Sequence, residues 1–469
     1  MFRSLAGDEI RVPDSALDAF VADFRGEVVR PGDPDYDASR ALWNAMIDRR
    51  PALIAKARGA ADVAAAVRFA GEHGLLTAVR SGGHNVAGLS SVDDGFVIDT
   101  TLMRWARADV AAKRARAGAG ALLGDLDRET QAHGLVVPAG IVTHTGVAGL
   151  TLGGGLGWLT RKWGLTSDNL VSADVVTADG SIVTASEDQH DDLFWALRGG
   201  GGNFGIVTSF EYRCHDFGPI VMAGLIAHPL EKGREFLEFW RDWIETAPEE
   251  VTTIVILRLA PSLPFVPEDL RGKPIVALAT AYAGPAEEGE EVFAPLKAFG
   301  PPVLDVLIPK PFVAHQGMLD AGQPHGGRYY WKSHHIGSLT DELFDVLIDR
   351  GGKITSPMGL LALVHLGGAM ARMPDTAYPG RKLPFTTNIN ASWMDPADDD
   401  EQMAWTRDTY DALTPHAAGG GFLNFVGDSG EDQARAIYGE EKYARLSEIK
   451  AQYDPDNLFR MNHNIRPAG

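Results

Sequence analysis

Glycine clusters in the first half of the chain are the features that first suggest a chemistry. Three of them occur close together, at residues 82–83, 153–157 and 199–205. Backbone without side chains lets N–H groups approach phosphate, so three such stretches indicate a long, thin ligand lying against bare backbone. A dinucleotide, with its pyrophosphate, is the ligand class that this pattern favours.

These clusters do not match the usual dinucleotide fingerprint. No G-x-G-x-x-G in this chain follows a predicted strand, opens a helix and precedes an acidic residue by about 20 positions. The stretch GLGWLT, which begins at Gly155, lacks that context. The sequence therefore predicts either a dinucleotide bound in another way or a different ligand.

The elements around the first cluster form a strand–helix–strand unit that runs into a turn. Residues 51–57 and 76–80 are predicted as strands, and the apolar spacing between them is typical of a helix. The second strand leads directly into S-G-G-H-N, so His84 follows the glycine turn. A histidine at such a turn can cap the backbone or bind an anion, and these residues alone leave its role open.

The second half of the chain predicts an α+β arrangement with a largely antiparallel sheet. Asp179-Gly180 predicts a hairpin turn, and the tail predicts a Pro-Asp-Asn turn before a final strand. Helices are expected at residues 230–246, 287–299, 339–350 and 400–413. Strands are expected at residues 252–259, 274–283, 360–369, 384–393 and 422–426.

The composition limits the partners of the protein. The chain has 469 residues, and its 63 acidic and 43 basic residues give a net charge of −20. Such a surface repels phosphates, so we expect neither nucleic acid nor an anionic membrane as a partner. We find no apolar run of about 18 residues and no signal peptide, which predicts a cytoplasmic protein without a membrane span.

Metal and disulfide sites are not predicted. Cys214 is the single cysteine, which excludes an internal disulfide and a cysteine metal cluster. His334 and His335 are adjacent on a predicted strand, where neighbouring side chains point to opposite faces. We therefore expect no metal centre.

Four motifs together identify a family. They are RSGGHNVAG at residues 80–88, GVAGLTLGGGLGWLTRKWGLTSDNL at 146–170, DDLFWALRGGGGNFGIVTSFEYR at 191–213 and YDPDNLFRMNHNI at 453–465. In this order, which extends over most of the chain, they resemble the berberine-bridge-enzyme-like branch of the FAD-linked oxidases of the vanillyl-alcohol oxidase and p-cresol methylhydroxylase type.

The resemblance implies an α+β, two-domain fold in which the FAD-binding domain is split. Residues 1–214 would form most of the FAD-binding domain. Residues 215–420 would form an inserted substrate-binding domain with an antiparallel sheet, and residues 421–469 would return to the FAD-binding domain.

The resemblance also implies that FAD is bound covalently, through a bond between His84 and the flavin 8α-methyl group. Many relatives have a second tether, a cysteine, at the position of Val142 in this chain. Because Cys214 lies far from that position in the sequence, we expect a single covalent bond. Further flavin contacts implied by the motifs are Arg80, Ser81, Gly82, Gly83, Asn85, Gly140, Thr145, Gly146, Gly149, Gly154, Gly155, Asn169, Ile206, Val207, Asn462 and Asn464.

The residues that would contact the substrate are less clearly marked in the sequence than those that would bind the flavin. The family places its base on the strand that ends here at Trp393, where alternation puts Asn388 and Asn390 on one face. Neither amide can act as a base at neutral pH. The cluster RYYWKSHH adds Tyr330 and Lys332 as catalytic candidates, and aromatic packing in a core strand is the alternative interpretation of that cluster.

Three functions remain compatible with these residues. The first is an oxidase that transfers a hydride from an alcohol, sugar or cyclic amine to flavin N5 and reduces dioxygen to hydrogen peroxide. In relatives, a valine at the position of Thr145 is associated with oxygen access and a leucine with its exclusion, which favours the oxidase. The second is a dehydrogenase with another electron acceptor, and the third is a flavin-binding protein without turnover.

Overall fold

Three sheets organise the chain in a computed structural model, which describes residues 1–262, 266–427 and 431–469. The first sheet has four strands, three of which are parallel, and its two inner strands are short, mostly apolar and largely buried, as parallel strands usually are. In spatial order the strands are Glu27–Val29, Leu53–Lys56, Phe96–Asp99 and Thr77–Arg80.

The second sheet has five antiparallel strands. Its outer hairpin turns at Asp179-Gly180, as the sequence predicts, and Gly180 has a φ of +78° there. In spatial order the strands are Ile182–Ser186, Leu170–Val176, Ile206–Arg213, Arg114–Gly118 and Ala106–Asp109. Two further strand pairs are Phe2–Arg3 with Glu9–Ile10 and Leu135–Val136 with His215–Asp216.

The third sheet has ten antiparallel strands, which confirms the α+β class and the antiparallel sheet expected of the second half. Eight strands follow one another in the order Leu304–Asp305, Ile220–Pro229, Pro274–Tyr282, Val251–Leu259, Leu360–His365, Phe385–Trp393, His334–Ile336 and Ala417–Gly420. Two more strands extend it: Ile308–Pro311 pairs with Ile220–Pro229, and Arg328–Lys332 pairs with Phe385–Trp393.

Helices cover the sheets and connect their strands. The α-helices of the described residues are Asp14–Asp23, Tyr36–Arg40, Ala60–Glu72, Leu123–Gln131, Val147–Leu152, Thr160–Trp163, Asp191–Leu197, Gly233–Ile244, Ala286–Ala298, Phe312–Gln316, Asp341–Gly351, Ala369–Arg372, Asp399–Leu413 and Glu431–Tyr453. Among them, none is both long and apolar enough to cross a membrane.

The C-terminal segment packs into the core of the second sheet. Tyr438, Leu446 and Ile465 are buried in one cluster with Phe210 and Tyr212 of that sheet. A separate cluster lies on one face of the ten-stranded sheet, and all of its fully buried members come from residues 222–413. This packing brings the end of the chain back to the first 214 residues.

Two strand predictions near the C-terminus are wrong. Residues 422–426 contain a 3-10 turn, Leu423–Phe425, because the chain leaves the sheet at Gly421. A β-carbon at Gly421 would lie 2.2 Å from the carbonyl oxygen of Ser333, so only glycine passes there. After Tyr453 the described tail forms turns and extended backbone but no strand.

Candidate cofactor and substrate site

The three glycine clusters meet at one elongated cavity. Its walls include Gly82 and Gly83 of the first cluster, Gly153 of the second and Gly202 of the third. The cavity contains about 1630 Å³ of empty space, open solvent at its mouth included.

The first two loops touch backbone to backbone. A β-carbon placed on Gly82 would lie 2.5 Å from the Cα of Gly146, and one placed on Gly146 would lie 2.7 Å from the Cα of Gly82. Backbone atoms cannot move aside as a flexible side chain does. Both positions therefore require glycine, which explains why the two clusters occur in the sequence.

The variant Gly146→Ala is expected to separate these loops and to impair flavin binding. Inserting a methyl group into a packed region costs about 1–3 kcal/mol, and here the strain falls on the cavity wall. Bound flavin per purified protein, from its visible absorbance, measures the effect. Gly59→Ala is the control, because a β-carbon there meets no atom within 4 Å. Equal flavin content in both variants would contradict this account of the loops.

His84 lines the same cavity at the end of the first loop. Its ring stacks on the Trp43 indole, with centroids 4.5 Å apart and planes 17° apart, and Trp43 stacks in turn on Tyr329. The His84 Nε2 atom lies 2.7 Å from Nδ1 of His144, within hydrogen-bond distance. The imidazole is thus fixed on one face and at one nitrogen.

The environment keeps His84 uncharged. Burial, followed by the neighbouring His144 and His325, lowers the pKa of the His84 imidazole well below its ordinary value. One nitrogen from each of the three histidines lies within 4.8 Å of the others, as in some metal sites. Tetrahedral zinc, however, separates its nitrogen ligands by about 3.3 Å. The 2.7 Å contact is therefore a hydrogen bond between two histidines.

A buried ion pair fixes the third glycine loop to the tail. Lys450 and Asp454 are both fully buried, with Nζ and Oδ2 2.6 Å apart. The Lys450 ammonium also donates to the carbonyl of Asn203, a residue of the cavity wall, at 2.6 Å. Asp454 accepts from the backbone N–H groups of Leu458 and Phe459. Burial lowers the pKa of Lys450 to about 8, and Asp454 opposes this shift.

Most of the cofactor contacts expected from the motifs lie on the cavity wall. They are Ser81, Gly82, Gly83, His84, Asn85, Gly140, Thr145, Gly146, Gly149, Ile206, Val207 and Asn462. The structure thus brings together residues that are almost 400 positions apart in the chain.

Five of the expected contacts lie off this wall. Arg80 donates to the Ser39 carbonyl, and Gly154 and Gly155 have positive φ values that shape a turn. Asn169 holds the backbone of its own loop through its amide nitrogen. For these residues and Asn464, which does not line the cavity either, we propose no direct cofactor contact.

Two of the catalytic candidates lie on the cavity side of the ten-stranded sheet. Asn390 pairs with Trp331, whose indole lines the cavity, and residues opposite each other across two strands share a face. Asn388 lies on the same face by alternation. Both amides are buried, and the Asn388 Oδ1 has no hydrogen-bond partner among the described residues. Neither belongs to the wall itself.

The other two catalytic candidates lie on the opposite face of the ten-stranded sheet. Tyr330 and Lys332 alternate with Trp331, so their side chains project from the opposite face of the sheet. Tyr330 packs against the cluster of that face, and the Lys332 ammonium lies 4.6 Å from the centre of the Tyr410 ring. Neither residue lines the cavity, and we no longer propose a catalytic role for them.

The cavity fits FAD. A β-carbon on Gly149 would meet no protein atom within 4 Å, so this part of the wall is bare backbone that faces open space. Bare backbone of this kind, at the start of the helix Val147–Leu152, offers N–H groups that suit a pyrophosphate. Trp331, Phe422 and Phe425 provide flat apolar surface for a ring system. The chemistry of the wall is that of a dinucleotide site.

Comparisons with known proteins give a consistent result. The family model for an FAD binding domain matches residues 51–186, and the model for berberine and berberine-like proteins matches residues 421–466. These are the stretches that carry the first two glycine clusters and the C-terminal signature.

Relatives match over nearly the full length. The (R)-6-hydroxynicotine oxidase of Paenarthrobacter nicotinovorans is 31% identical over 95% of this chain and 97% of its own. The crystal structure of 6-hydroxy-D-nicotine oxidase from Arthrobacter nicotinovorans superposes with a TM-score of 0.84 at 29% identity, covering 98% and 100% of the two chains. Xylooligosaccharide oxidase from Myceliophthora thermophila has a TM-score of 0.84 at 25% identity, covering 97% and 100%.

Proposed function

Since the chain belongs to the berberine-like family of FAD-linked oxidoreductases, we propose that it is an oxidase for a small alcohol, sugar or cyclic amine. Bound FAD supplies the hydride acceptor, N5, and dioxygen then accepts the electrons to give hydrogen peroxide. The observation that carries this proposal is the single cavity that all three glycine loops share with His84.

The proposal includes a covalent bond between His84 and the flavin 8α-carbon. The neutral, stacked imidazole on the cavity wall supports it, because an uncharged ring nitrogen has a lone pair to form the bond. Cys214 is an inert alternative: it lies off the cavity wall, and burial raises the pKa of its thiol to about 12. Val142, which does line the cavity, has no sulfur.

The division into domains also remains our proposal. Residues 1–214 and 421–469 would hold the cofactor, and residues 215–420 would supply the substrate side. The core shared by Phe210 and Leu446 supports the split first domain. Trp331 reaches the cavity from the ten-stranded sheet, as an inserted substrate domain would require.

The lining favours a substrate that is uncharged when it reacts. Among the described residues that line the cavity, none is Asp, Glu, Lys or Arg. Burying an unpaired ion against such a wall is costly, whereas neutral hydroxyl or amine groups require only hydrogen bonds. A panel of sugars, polyketide alcohols and cyclic amines, scored by anaerobic bleaching of the flavin, tests the substrate class. No bleaching with any member would favour a binding protein without turnover.

The variant Asn388→Ala is expected to slow oxidation of the true substrate. We propose that the free Asn388 Oδ1 accepts a hydrogen bond from substrate or from a bound water. Loss of one such bond costs about 0.5–1.5 kcal/mol, which is roughly a threefold to tenfold change in kcat/KM. Met394→Ala, at an exposed residue that directly follows the strand, is the control. Unchanged kcat/KM in Asn388→Ala would contradict the assignment.

Reduced enzyme mixed with aerated buffer is expected to reoxidise within seconds. Thr145 lines the cavity and is about the size of valine, so it leaves the path for dioxygen open. Thr145→Leu should slow reoxidation by about tenfold, equal to about 1.4 kcal/mol in the barrier. Stopped-flow absorbance of the flavin measures both rates. Wild-type reoxidation that takes many minutes would indicate a dehydrogenase with another acceptor.

A further inference from the structure

His144 lies between His84 and an acidic residue from a distant part of the chain. Its Nδ1 is 2.7 Å from the His84 Nε2. Asp320 is held beside it, because its carboxylate accepts from the Thr143 backbone N–H at 2.8 Å and from the Thr143 hydroxyl. His84 thus contacts His144 directly, and Asp320 is bound to Thr143, the residue before His144.

The tautomers of the two rings decide which of them can accept a proton. The His84–His144 contact is a hydrogen bond in which one ring nitrogen donates and the other accepts. Asp320 raises the pKa of His144, although burial lowers that pKa overall. When the shared proton is on Nε2 of His84, Nδ1 of His144 accepts the hydrogen bond and the lone pair of the His84 Nδ1 is free.

We propose that His144 is the general base for attachment of FAD to His84, with Asp320 as its positioning residue. The inference rests on the proposed covalent link. It adds a role for His144 that the existence of the link does not by itself imply. His84, His144 and Asp320 would then correspond to a nucleophile, the base that it contacts and a third group that orients the base. In this case the nucleophile is the Nδ1 of His84.

The attachment step is balanced as follows. A C–N bond forms between His84 Nδ1 and the flavin 8α-carbon, and that carbon loses one proton. The His84 ring loses its Nε2 proton to His144, so the linked imidazole ends neutral. The electron pair of the broken C–H bond reduces the isoalloxazine, and dioxygen, the acceptor of the proposed reaction, reoxidises it to leave hydrogen peroxide. The Asp320 carboxylate faces the positive charge that His144 gains.

His325 does not have the same geometry. It is exposed, and its ring centroid lies 5.7 Å from that of His84 and 5.2 Å from that of His144. No hydrogen bond joins it to His84 among the described residues, whereas His144 is in direct contact. The third histidine is therefore a matched control for the effect of removing an imidazole from this cluster.

The test follows covalent attachment in purified protein, separately from catalytic turnover. Each variant is produced, supplied with FAD, and sampled over time for flavin that stays with the denatured chain on an acid gel. His144→Leu should retain bound flavin but attach it about 100-fold more slowly, the lower range for loss of a general base. His144→Asn should be similarly slow, because its amide oxygen can accept a hydrogen bond from His84 but cannot take up the proton. His325→Leu should stay near the wild-type rate.

The outcomes separate this inference from the proposed function. Wild-type protein without flavin on His84 would overturn the covalent link itself. Covalent wild type with an equally fast His144→Leu, or with His325→Leu equally slow, would overturn the role of His144 alone. Should His144→Leu fail to fold, His144→Gln replaces it, because its amide cannot take up a proton either. A His144→Gln variant that attaches flavin as fast as the wild type would also overturn the role of His144.

Discussion

Replacing His84 by alanine is expected to give a protein whose flavin dissociates completely on acid precipitation. The glycine loops would still bind FAD, because His84 supplies none of their backbone contacts. The covalent bond would be lost, since Val142 has no sulfur and the Cys214 thiol lies off the cavity wall. Without a tether, the loops alone must supply the whole binding free energy. The yellow colour should therefore move from the pellet to the supernatant.

Cys214→Ser is the matched control for this experiment. Its flavin should stay in the pellet as in the wild type, because burial holds the Cys214 thiol in its protonated, unreactive form. A His84→Ala pellet that remains yellow would show that another residue forms the bond. Loss of colour from the Cys214→Ser pellet would identify that residue.

Replacing Asp454 by alanine is expected to destabilise the protein by about 3–5 kcal/mol, the usual cost of breaking one side of a buried ion pair. The Lys450 ammonium is fully buried and would keep only carbonyl partners. The N–H groups of Leu458 and Phe459 would lose their acceptor as well. Because Lys450 also holds Asn203 on the cavity wall, flavin content should fall together with stability.

Urea denaturation followed by tryptophan fluorescence measures this loss. Asp456→Ala is the control, since Asp456 belongs to the same Asp-Pro-Asp-Asn turn but is exposed. It should change the free energy of unfolding by less than about 0.5 kcal/mol. An Asp454→Ala variant as stable as Asp456→Ala would show that the pair does not fix the tail to the third loop.

The glycine clusters made the cavity predictable from the sequence. A position that has no room for a side chain must be glycine, and this requirement is visible at that single position. Gly82 and Gly146 show this directly, since each lies where the other's β-carbon would have to be. Gly154 and Gly155 show the limit of the same pattern. Their positive φ values serve a turn, where β-carbons would clash with the Tyr378 and Thr166 side chains. Only the folded chain distinguishes a turn glycine from one facing a ligand.

The positions of the Tyr330 and Lys332 side chains depend on strand register, which the sequence does not give. Tyr330 and Lys332 are polar residues beside Trp331, and the sequence does not specify which alternate face of that strand looks into the cavity. Pairing with Phe385–Trp393 decides it, because Asn390 lies opposite Trp331. The Asn388 and Asn390 prediction used alternation within a single strand, and its two residues do share the cavity face.

The residues around His84 were missed because their contacts are long-range. Thr143 and Asp320 are 177 positions apart, and Trp43 reaches His84 from a segment that no motif marks. The sequence carried one usable signal: His144 lies two residues before Gly146, at the start of the second flavin motif. Lys450 and Asp454 had a similar signal in the Asp-Pro-Asp-Asn turn, but a helical spacing of four does not by itself indicate a fully buried pair.

The most direct test of the account is a peptide map of the wild-type protein after denaturation and proteolysis. We expect one flavin-bearing peptide, the one containing Arg80 to Gly88, with fragment ions that place the flavin on His84. Flavin released entirely on denaturation, or found on the peptide containing Cys214, would contradict the covalent attachment on which the proposed site is built.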